Sequence, residues 1–335
     1  MSKNILVLPG DGVGPEVTLS AIRILEQVAD GRIDMKYGDI GQSAFIKTSE
    51  YLPAETVDLA TEADAIIAGV VIDAPSERGY RSPIRVLKKQ LNLYSVVRKF
   101  SPLCDSIGTK GVDLIVINGN PDALLNVVET ECLDGVDIHK FLSIASCRKL
   151  FRKTMQIASL MGRSNITCAH RKSMFPSLDG MFVDIFYKEL AGSGFVLEDM
   201  EIDTVASETV RDPASMDVIV SNDIYGTVLA GLAAGMVGGS YLTPMGNIGD
   251  NSGLFEPMHG PNPKSIESGN VNPTSAILSG AMALDHLGML YEAEKIRKAV
   301  RYVYGTGMVT PDVGGTATTK EFTDSVIDAI GKDDE

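Results

Sequence analysis

Short apolar runs alternate along the chain with stretches of helical periodicity. Four runs have the length and composition of buried strands: NILVLP, ADAIIAGVV, VDLIVIN and MDVIVS. The first is followed by a glycine turn and by LSAIRILEQV, whose apolar residues recur three and four positions apart, as on one face of a helix. This alternation predicts an α/β fold with a mixed, largely parallel sheet that helices cover on both faces.

The chain is long for a single hydrophobic core. Single cores stop growing at about 250–300 residues, whereas this chain has 335. Beyond residue 235 a glycine-rich stretch leads into two predicted helices, at about Pro273 to Leu287 and about Tyr291 to Tyr304. The sequence shows neither an internal repeat nor a low-complexity linker, so we expect two domains that are interleaved in sequence.

Composition and charge exclude several classes of partner. With 44% hydrophobic and 22% charged residues, the chain has the composition of a globular protein. Its net charge of −14 predicts no binding to nucleic acid, which needs a basic face, and no attraction to an acidic membrane surface. No apolar run reaches the roughly 18 residues of a membrane span, and MSKNILVLPG is typical of a strand rather than a signal peptide. We therefore expect a cytoplasmic protein.

The cysteines do not indicate a metal site or a disulfide framework. None of the four is spaced as C-x-x-C, and their surroundings are mixed or apolar. We expect buried thiols in a reducing compartment, at Cys104, Cys132, Cys147 and Cys168.

Two loops carry candidate binding chemistry. PGDGVGPEV follows the first strand, but it lacks the G-x-G-x-x-G spacing of a dinucleotide loop, so its glycines serve either a ligand or only a tight turn. FEPMHGPNPKSIESGNVNPTSAIL is rich in proline and asparagine and ends at the start of a helix. It is either a ligand-binding loop or an elaborate helix cap.

Motifs spread over nearly the whole chain resemble one known family. In order, LPGDGVGPEV, NLYSVVR, SLDGMF, NIGDNSGLFEPMHG and NPTSAIL are similar to motifs of the β-hydroxyacid oxidative decarboxylases, the isocitrate, 3-isopropylmalate and homoisocitrate dehydrogenases. The resemblance implies a homodimer of two-domain α/β subunits with the active site in a cleft. It divides the chain into a cofactor-side domain, residues 1–95 plus 238–335, and a substrate and dimerisation domain, residues 96–237.

The family's reaction requires three kinds of group. Its members oxidise a 2-hydroxy acid with NAD or NADP and release a carboxyl group, assisted by Mg²⁺ or Mn²⁺. Cationic side chains must hold the substrate's carboxylates, carboxylates must hold the metal ion, and a lysine and a tyrosine must move protons. The resemblance places each kind at defined positions of this sequence.

The positions for a small carboxylic acid are partly retained. Lys88 is among the positions that the resemblance assigns to substrate binding, but Lys88 and its neighbour Lys89 also fit a solvated helix face. Asn118 stands where the family has a further arginine, and Leu125 where it has the tyrosine. The resemblance implies substrate binding by Ser82, Arg85, Lys88, Arg98 and Asn118.

The positions for catalysis and metal binding are the most altered. Arg171 stands where the family has its catalytic lysine, and arginine does not act as a base because it stays protonated. Lys172 would point to the opposite face if this segment is a strand. Thr227 and Gly231 stand where the family has two metal-binding aspartates, and Asp203 matches the third. A single carboxylate is a poor site for a hard dication, so a metal ion is doubtful.

The cofactor loop is closer to the family pattern. Lys264 stands where the NAD-dependent members have an aspartate, which favours NADP over NAD, although Ser265 lacks the tyrosine of the NADP pattern. The resemblance implies cofactor binding by Glu256, His259, Gly260, Lys264 and Asn272.

Two functions follow from this pattern. One is an NAD(P)-dependent dehydrogenase that acts on an isocitrate-like or homoisocitrate-like acid with an altered catalytic site. The other is a catalytically silent relative that binds a nucleotide or a carboxylate and has a regulatory or structural role in an assembly. The first fits a homodimer, and the second also fits a hetero-oligomer with an active paralogue.

Overall fold

A ten-stranded sheet forms the centre of the protein. The computed structural model describes residues 2–73, 80–120, 125–261 and 269–332, without the side chains of residues 125–127, 223 and 332. The strands of the main sheet are β1 (Lys3–Leu8), β2 (Ile33–Tyr37), β3 (Ala65–Ala68), β4 (Ser95–Phe100), β5 (Leu114–Gly119), β8 (Asn165–His170), β9 (Val196–Glu201), β10 (Val218–Ser221), β11 (Pro244–Ile248) and β12 (Gly253–Pro257). A separate hairpin consists of β6 (Leu125–Cys132) and β7 (Gly135–Leu142).

The sheet is mixed and largely parallel, which confirms the predicted fold class. Its strand order is β2-β1-β3-β12-β11-β4-β5-β10-β8-β9. Six of the nine neighbouring pairs are parallel, and the three antiparallel pairs, β12 with β11, β11 with β4 and β4 with β5, lie together in the middle. The parallel pairs arise from strand and helix units, whereas the antiparallel pairs join the two ends of the sheet.

Helices cover both faces of the sheet. Within the described residues they are α1 (Gly14–Ala29), α2 (Gln42–Thr48), α3 (Ala54–Glu62), α4 (Pro83–Gln90), α5 (Ile144–Leu160), α6 (Leu178–Leu190), α7 (Ile202–Arg211), α8 (Asp223–Met236), α9 (Thr274–His286), α10 (Leu290–Thr306) and α11 (Thr319–Lys332). α9 and α10 match the two helices predicted after residue 235. None of the helices in the described part of the chain is long and apolar enough to cross a membrane.

The hydrophobic core differs between the two faces of the sheet. Alternation along each strand sends Val97, Ile115 and Ile117 to one face, where a single cluster of buried residues runs across both ends of the sheet. On the other face the buried residues form two clusters, one including Leu6 and the other Val116. We call the first the continuous face and the second the divided face.

The boundary between the predicted domains falls inside the sheet. The cofactor-side domain would contain β2, β1, β3, β12 and β11, and the other domain would contain β4, β5, β10, β8 and β9. The pairing of Asn247 with Val96 carries the sheet across this boundary without a gap. The division into two domains stays a prediction.

The prediction of four buried thiols was wrong for two of them. Cys147 and Cys168 are buried, and burial raises the pKa of the Cys147 thiol to about 12. Cys104 is half-buried, and Cys132 is exposed at the end of β6, beside the hairpin turn. The mixed polar and apolar neighbours of Cys132 in sequence did not reveal the hairpin that carries this thiol into solvent.

One prediction tests the continuous face. Leu150 is 1% exposed and Leu160 is 85% exposed on the same helix, α5. We expect Leu150→Ala to lower the free energy of unfolding by about 2–5 kcal/mol, because it removes apolar contacts and leaves a cavity. The matched change Leu160→Ala should stay within about 0.5 kcal/mol of the parent. Denaturant unfolding of both variants measures the difference, and equal losses would contradict the assignment of this core.

Candidate functional site

Polar side chains occupy the gap between the two clusters of the divided face. Strand register places them together, since Asn247 and Asn118 both pair with Val96, while Met245 pairs with both Arg98 and Glu256. Paired residues in antiparallel strands lie on the same face. The middle four strands therefore present Arg98, Asn118, Asn247 and Glu256 to one side, where the core is interrupted.

Arg98 and Asn118, both predicted to bind substrate, contact each other. Arg98 is 8% exposed, and its Nη1 donates a hydrogen bond of 2.7 Å to Oδ1 of Asn118. The Asn118 amide in turn donates to the carbonyl oxygen of Gly119 at 3.0 Å. These contacts orient a nearly buried guanidinium in the gap, and a guanidinium is a group that can hold a carboxylate by two parallel bonds.

Lys88, predicted to bind substrate, contacts Glu256, which was predicted to bind cofactor. Its ammonium forms an ion pair with Oε1 of Glu256, and the Asn247 amide donates to the same oxygen at 2.8 Å. The side chains of Lys88 and Glu256 are only 12% and 9% exposed. Lys88 is therefore not on a solvated helix face, whereas its neighbour Lys89 is exposed.

Ser82 and Arg85 lie apart from this row, at the start of α4. They line an open depression of about 660 Å³ together with Asp73, Tyr80 and Arg81. The Ser82 hydroxyl is buried and has no hydrogen-bond partner within the residues that the structure describes. A buried hydroxyl of this kind gains a partner when a polar ligand enters.

Arg171 and Asp203 form an ion pair. Strand β8 ends at His170, so Arg171 and Lys172 lie in the turn that follows and not on opposite faces of a strand. Arg171 donates from Nη1 to Oδ2 of Asp203 at 2.7 Å and lies 3.5 Å from a carboxylate oxygen of Glu201. The hydrogen bond from Arg171 lowers the pKa of the Asp203 carboxyl. The two predicted catalytic residues are therefore paired with each other within one copy of the chain.

A buried carboxylate fixes the turn that carries Arg171. Asp179 is fully buried; it accepts from the backbone N–H of Arg171 at 2.7 Å and from the side-chain amide of Asn222 at 3.0 Å. Burial and the charge of Asp179 raise the pKa of Tyr225 to about 12. Sequence reasoning gave Asp179 no role beyond its place in the SLDGMF motif, and it missed Asn222 and Tyr225, whose partners are distant in sequence.

The neighbouring histidine is held in one tautomer. The backbone N–H of Lys172 donates to Nδ1 of His170 at 3.1 Å, so the proton of the neutral ring is on Nε2. Nε2 donates to Asp199 at 2.9 Å. Burial opposes ionisation of Asp199, but hydrogen bonds from Tyr187 and His170 outweigh it and lower the pKa of this carboxyl. His170 therefore stabilises the turn that contains Arg171 and Lys172.

The residues at the metal positions do not fit a divalent cation. Thr227 and Gly231 are exposed on α8, and glycine has no side-chain ligand. Asp203 is already paired with Arg171, whose positive charge would repel a cation nearby. Among the described residues, no three histidine, cysteine, aspartate or glutamate side chains are arranged to hold a metal ion. The absence of tight metal binding stays a prediction.

His259, one of the predicted cofactor residues, is a buried histidine. His259 stacks on Tyr241 with ring centroids 4.1 Å apart, and its Nδ1 donates to the carbonyl oxygen of Gly260 at 3.0 Å. Burial lowers the pKa of His259, so the ring is neutral and Nε2 is an acceptor. In the described part of the chain Nε2 is buried and has no hydrogen-bond partner. An unsatisfied buried acceptor is the kind of group that a ligand N–H or O–H would pair with.

The rest of this loop has a structural role or is not described. Asn272 is saturated: its amide donates to Tyr304 and Asp312, both at 3.1 Å, and its oxygen accepts from the backbone N–H of Thr274 at 3.0 Å. It thus satisfies the start of α9 in place of the capping residue, which is Pro273. Lys264 lies outside the described residues, and so does the side chain of Leu125.

The first glycine loop supports the cofactor loop. Gly12 has a φ of +57°, and a Cβ at this position would lie 2.1 Å from the carbonyl oxygen of Pro261. The backbone N–H of Val13 donates to the same oxygen at 3.0 Å. In PGDGVGPEV, Gly12 is therefore required for a close contact with the loop after His259.

Comparisons with known proteins agree with this architecture. The family model described as isocitrate/isopropylmalate dehydrogenase matches residues 4–326. An isocitrate/homoisocitrate dehydrogenase of Thermus thermophilus is 36% identical over 338 residues, which cover 98% of this chain and 99% of the relative.

Two further proteins are similar to the chain over comparable lengths. A regulatory subunit of a mitochondrial NAD isocitrate dehydrogenase of Dictyostelium discoideum is 30% identical, covering 98% of this chain and 92% of the relative. The crystal structure of a β-decarboxylating dehydrogenase of Thermococcus kodakarensis has a TM-score of 0.90 and 31% identity, covering 98% of this chain and 96% of the other. The chain belongs to the isocitrate/isopropylmalate dehydrogenase family.

Proposed function

We propose that this protein binds a small carboxylic acid and a nicotinamide nucleotide in the family's cleft but does not carry out metal-assisted oxidative decarboxylation. The observation that carries the proposal is the ion pair between Arg171 and Asp203. The resemblance places a proton-transferring lysine at the first position and a metal-binding carboxylate at the second. Here these two groups neutralise each other.

The guanidinium differs chemically from the family's lysine. Arg171 stays protonated at any working pH, so it stabilises an anion but does not accept a proton. Its pKa is raised further by the hydrogen bond and the charge of Asp203. A guanidinium at this position, already balanced by Asp203 and Glu201, does not support the proton transfers of the reaction.

Arg98 is the residue best placed to recognise a carboxylate. It is nearly buried, it lies in the gap of the divided face, and the neutral amide of Asn118 orients it. Lys88, by contrast, is satisfied by Glu256. We therefore assign carboxylate binding mainly to Arg98, with Ser82 and Arg85 at the edge of the cleft.

His259 supports the nucleotide part of the proposal. Its unpaired Nε2 and its stacking on Tyr241 form a buried surface for an aromatic ring with an N–H donor. Members of the family use NAD or NADP, and Lys264 favours NADP because a lysine pairs with a 2′-phosphate. The nucleotide would supply hydride chemistry only if a proton acceptor other than Arg171 served the substrate.

A dehydrogenase with an altered reaction is the second candidate. The similarity to the isocitrate/homoisocitrate dehydrogenase of Thermus thermophilus over nearly the full length of both chains favours it. A panel of 2-hydroxy acids assayed with NAD and NADP, with and without Mg²⁺ or Mn²⁺, distinguishes the two candidates. Nucleotide reduction with any acid at an ordinary rate would establish the second, whereas binding without turnover supports the first.

Exposed apolar side chains indicate where a second copy of the chain would pack. On the β6–β7 hairpin Val128, Ile138 and Phe141 are more than half exposed, and on α8 Ile224 and Val228 are too. These two elements form the surface that we propose for a homodimer. A hetero-oligomer with an active paralogue would use the same surface, and the similarity to a regulatory subunit of Dictyostelium discoideum supports this alternative.

The residues of α8 that stand at the family's metal-binding positions lead to a prediction about Mg²⁺ and Mn²⁺. Calorimetric titration of Mg²⁺ or Mn²⁺ in the presence of isocitrate should show no tight binding, because Thr227 and Gly231 supply no carboxylate. The triple variant Arg171→Lys, Thr227→Asp and Gly231→Asp should gain a site, while Gly231→Asp alone should gain little, since grouped ligands are not additive. A micromolar one-to-one site in the unmodified protein would overturn this assignment.

A second prediction separates the role of Arg98 from that of Lys88. Arg98→Lys keeps the charge but loses the planar fork, so the affinity for isocitrate or homoisocitrate should fall by about 1.5–3 kcal/mol, or about 10- to 150-fold in Kd. Calorimetry measures the loss. An unchanged Kd would remove Arg98 from the binding site.

Lys88 should respond differently in the same comparison. Lys88→Met leaves the Glu256 carboxylate buried without its cation, which should lower the free energy of unfolding by about 3–5 kcal/mol. Adding Glu256→Gln should recover much of this loss, because the buried charge is removed as well. A Lys88→Met variant of unchanged stability would show that the ion pair is not formed in solution.

The nucleotide prediction uses thermal stability. A nucleotide at about 100 times its Kd should add roughly 2.7 kcal/mol to the free energy of unfolding, so millimolar NAD or NADP should raise the melting temperature. His259→Phe keeps an aromatic ring on Tyr241 but removes the acceptor, and it should reduce the shift. No shift with either nucleotide would leave the loop with a structural role only.

A further inference from the structure

A cavity of about 440 Å³ lies on the continuous face of the sheet, behind the proposed cleft. Arg98 points to the divided face, whereas its neighbours Val97 and Lys99 line this cavity. Its walls come from β4 and α5 on one side and from β11, β12, α9 and α10 on the other. Its volume is within the range of about 300–1,000 Å³ that is typical of sites for small molecules.

Most of the wall of the cavity is apolar. Ile157 from α5, Phe255 from β12 and Met282 from α9 are among its side chains, together with several leucines. Burial lowers the pKa of His286, which leaves this ring neutral beside Phe255, at 5.6 Å between ring centroids. The cavity therefore offers a surface for a hydrocarbon body.

The acidic groups at the cavity are already neutralised. Arg297 forms an ion pair with both carboxylate oxygens of Asp285, and Arg301 contacts Glu294 at 2.6 Å. Arg297 also lies 3.7 Å from Glu294. Neither carboxylate is left to balance a further cation.

Two lysines that line the cavity, unlike its arginines, have no carboxylate within ion-pair distance among the described residues. Lys99 and Lys153 are half-buried, and within the described ranges they have neither an ion pair nor a hydrogen bond. Burial lowers the pKa of both ammonium groups, and the charges of Asp113 near Lys99 and of Asp250 near Lys153 oppose this effect without outweighing it. A charge in this position is costly unless an anion pairs with it.

We propose that this cavity binds a small amphipathic carboxylate whose carboxylate group pairs with Lys99 and Lys153 and whose hydrocarbon body packs against Ile157, Phe255 and Met282. The charge balance of the wall selects an anion, because the acidic side chains are paired and the lysines are not. The apolar surface selects a ligand with a hydrocarbon body over a small, fully polar acid. This site is separate from the cleft on the divided face and does not depend on the function proposed for it.

Calorimetric titration with octanoate tests the proposal on the unmodified protein. We expect saturable one-to-one binding. Octanol and octylamine, which share the chain but lack the anion, and acetate, which lacks the chain, should each bind at least about tenfold more weakly, because a charge-assisted pair and apolar burial are both required. Equal affinity for octanol and octanoate, or no saturable binding of octanoate, would overturn the proposal.

Variants locate the site. Lys99→Met with Lys153→Met should weaken octanoate binding at least about tenfold, whereas Lys153→Arg, which keeps the charge, should bind octanoate like the parent. Lys188→Met removes an exposed lysine from α6 and is the matched control, with binding expected to be unchanged. The double variant should melt no lower than the parent, because it removes two unpaired cations. Retention of octanoate binding in the double variant would place the site elsewhere and overturn the assignment.

Discussion

The antiparallel pairing of β4 with β11 is the constraint on which the rest of the molecule depends. It joins the end of the sheet built around β1 to the end built around β10, through contacts such as Met245 with Arg98 and Asn247 with Val96. Since side chains alternate along a strand, the same pairing sends Arg98 to the divided face and Lys99 to the continuous face. A row of polar side chains and a largely apolar cavity thus lie on opposite sides of one strand.

Charges on the divided face and at the turn after β8 are arranged as local pairs. Lys88 and Glu256 neutralise each other, and Arg171 and Asp203 do the same. A buried charge without a partner is costly, so Lys88 and Glu256 each depend on the other, whereas Asp203 is largely exposed and its pair with Arg171 contributes little to stability. The pair of Lys88 with Glu256 therefore stabilises the gap of the divided face. Arg98 differs from these cations in that the neutral amide of Asn118 orients it.

Much of the fold could be predicted from the sequence, because buried parallel strands give continuous apolar runs and a sheet covered on both faces requires alternating helices. The β6–β7 hairpin could not, since most of its side chains are exposed, and Cys132 was therefore wrongly expected to be buried. In the site, Arg98 and His259 lie in buried positions that suit their proposed roles. The ion pair of Lys88 with Glu256 joins residues 168 positions apart. No local spacing indicates such a partner, because it arises only when the strands are assembled in the order of the sheet.

Family membership and catalytic chemistry depend on different residues in this protein. The sheet and its helices rest on buried apolar side chains, whereas Thr227 and Gly231 are exposed on α8 and carry little of the packing. Arg171 is accommodated because Asp203 and Glu201 accept its charge. The residues at these positions therefore contribute little to the stability of the fold, and the same architecture is compatible with similarity both to a dehydrogenase and to a regulatory subunit. The fold therefore does not by itself distinguish the two proposed functions, and the choice between them rests on the arrangement of charge around Arg171 and Asp203.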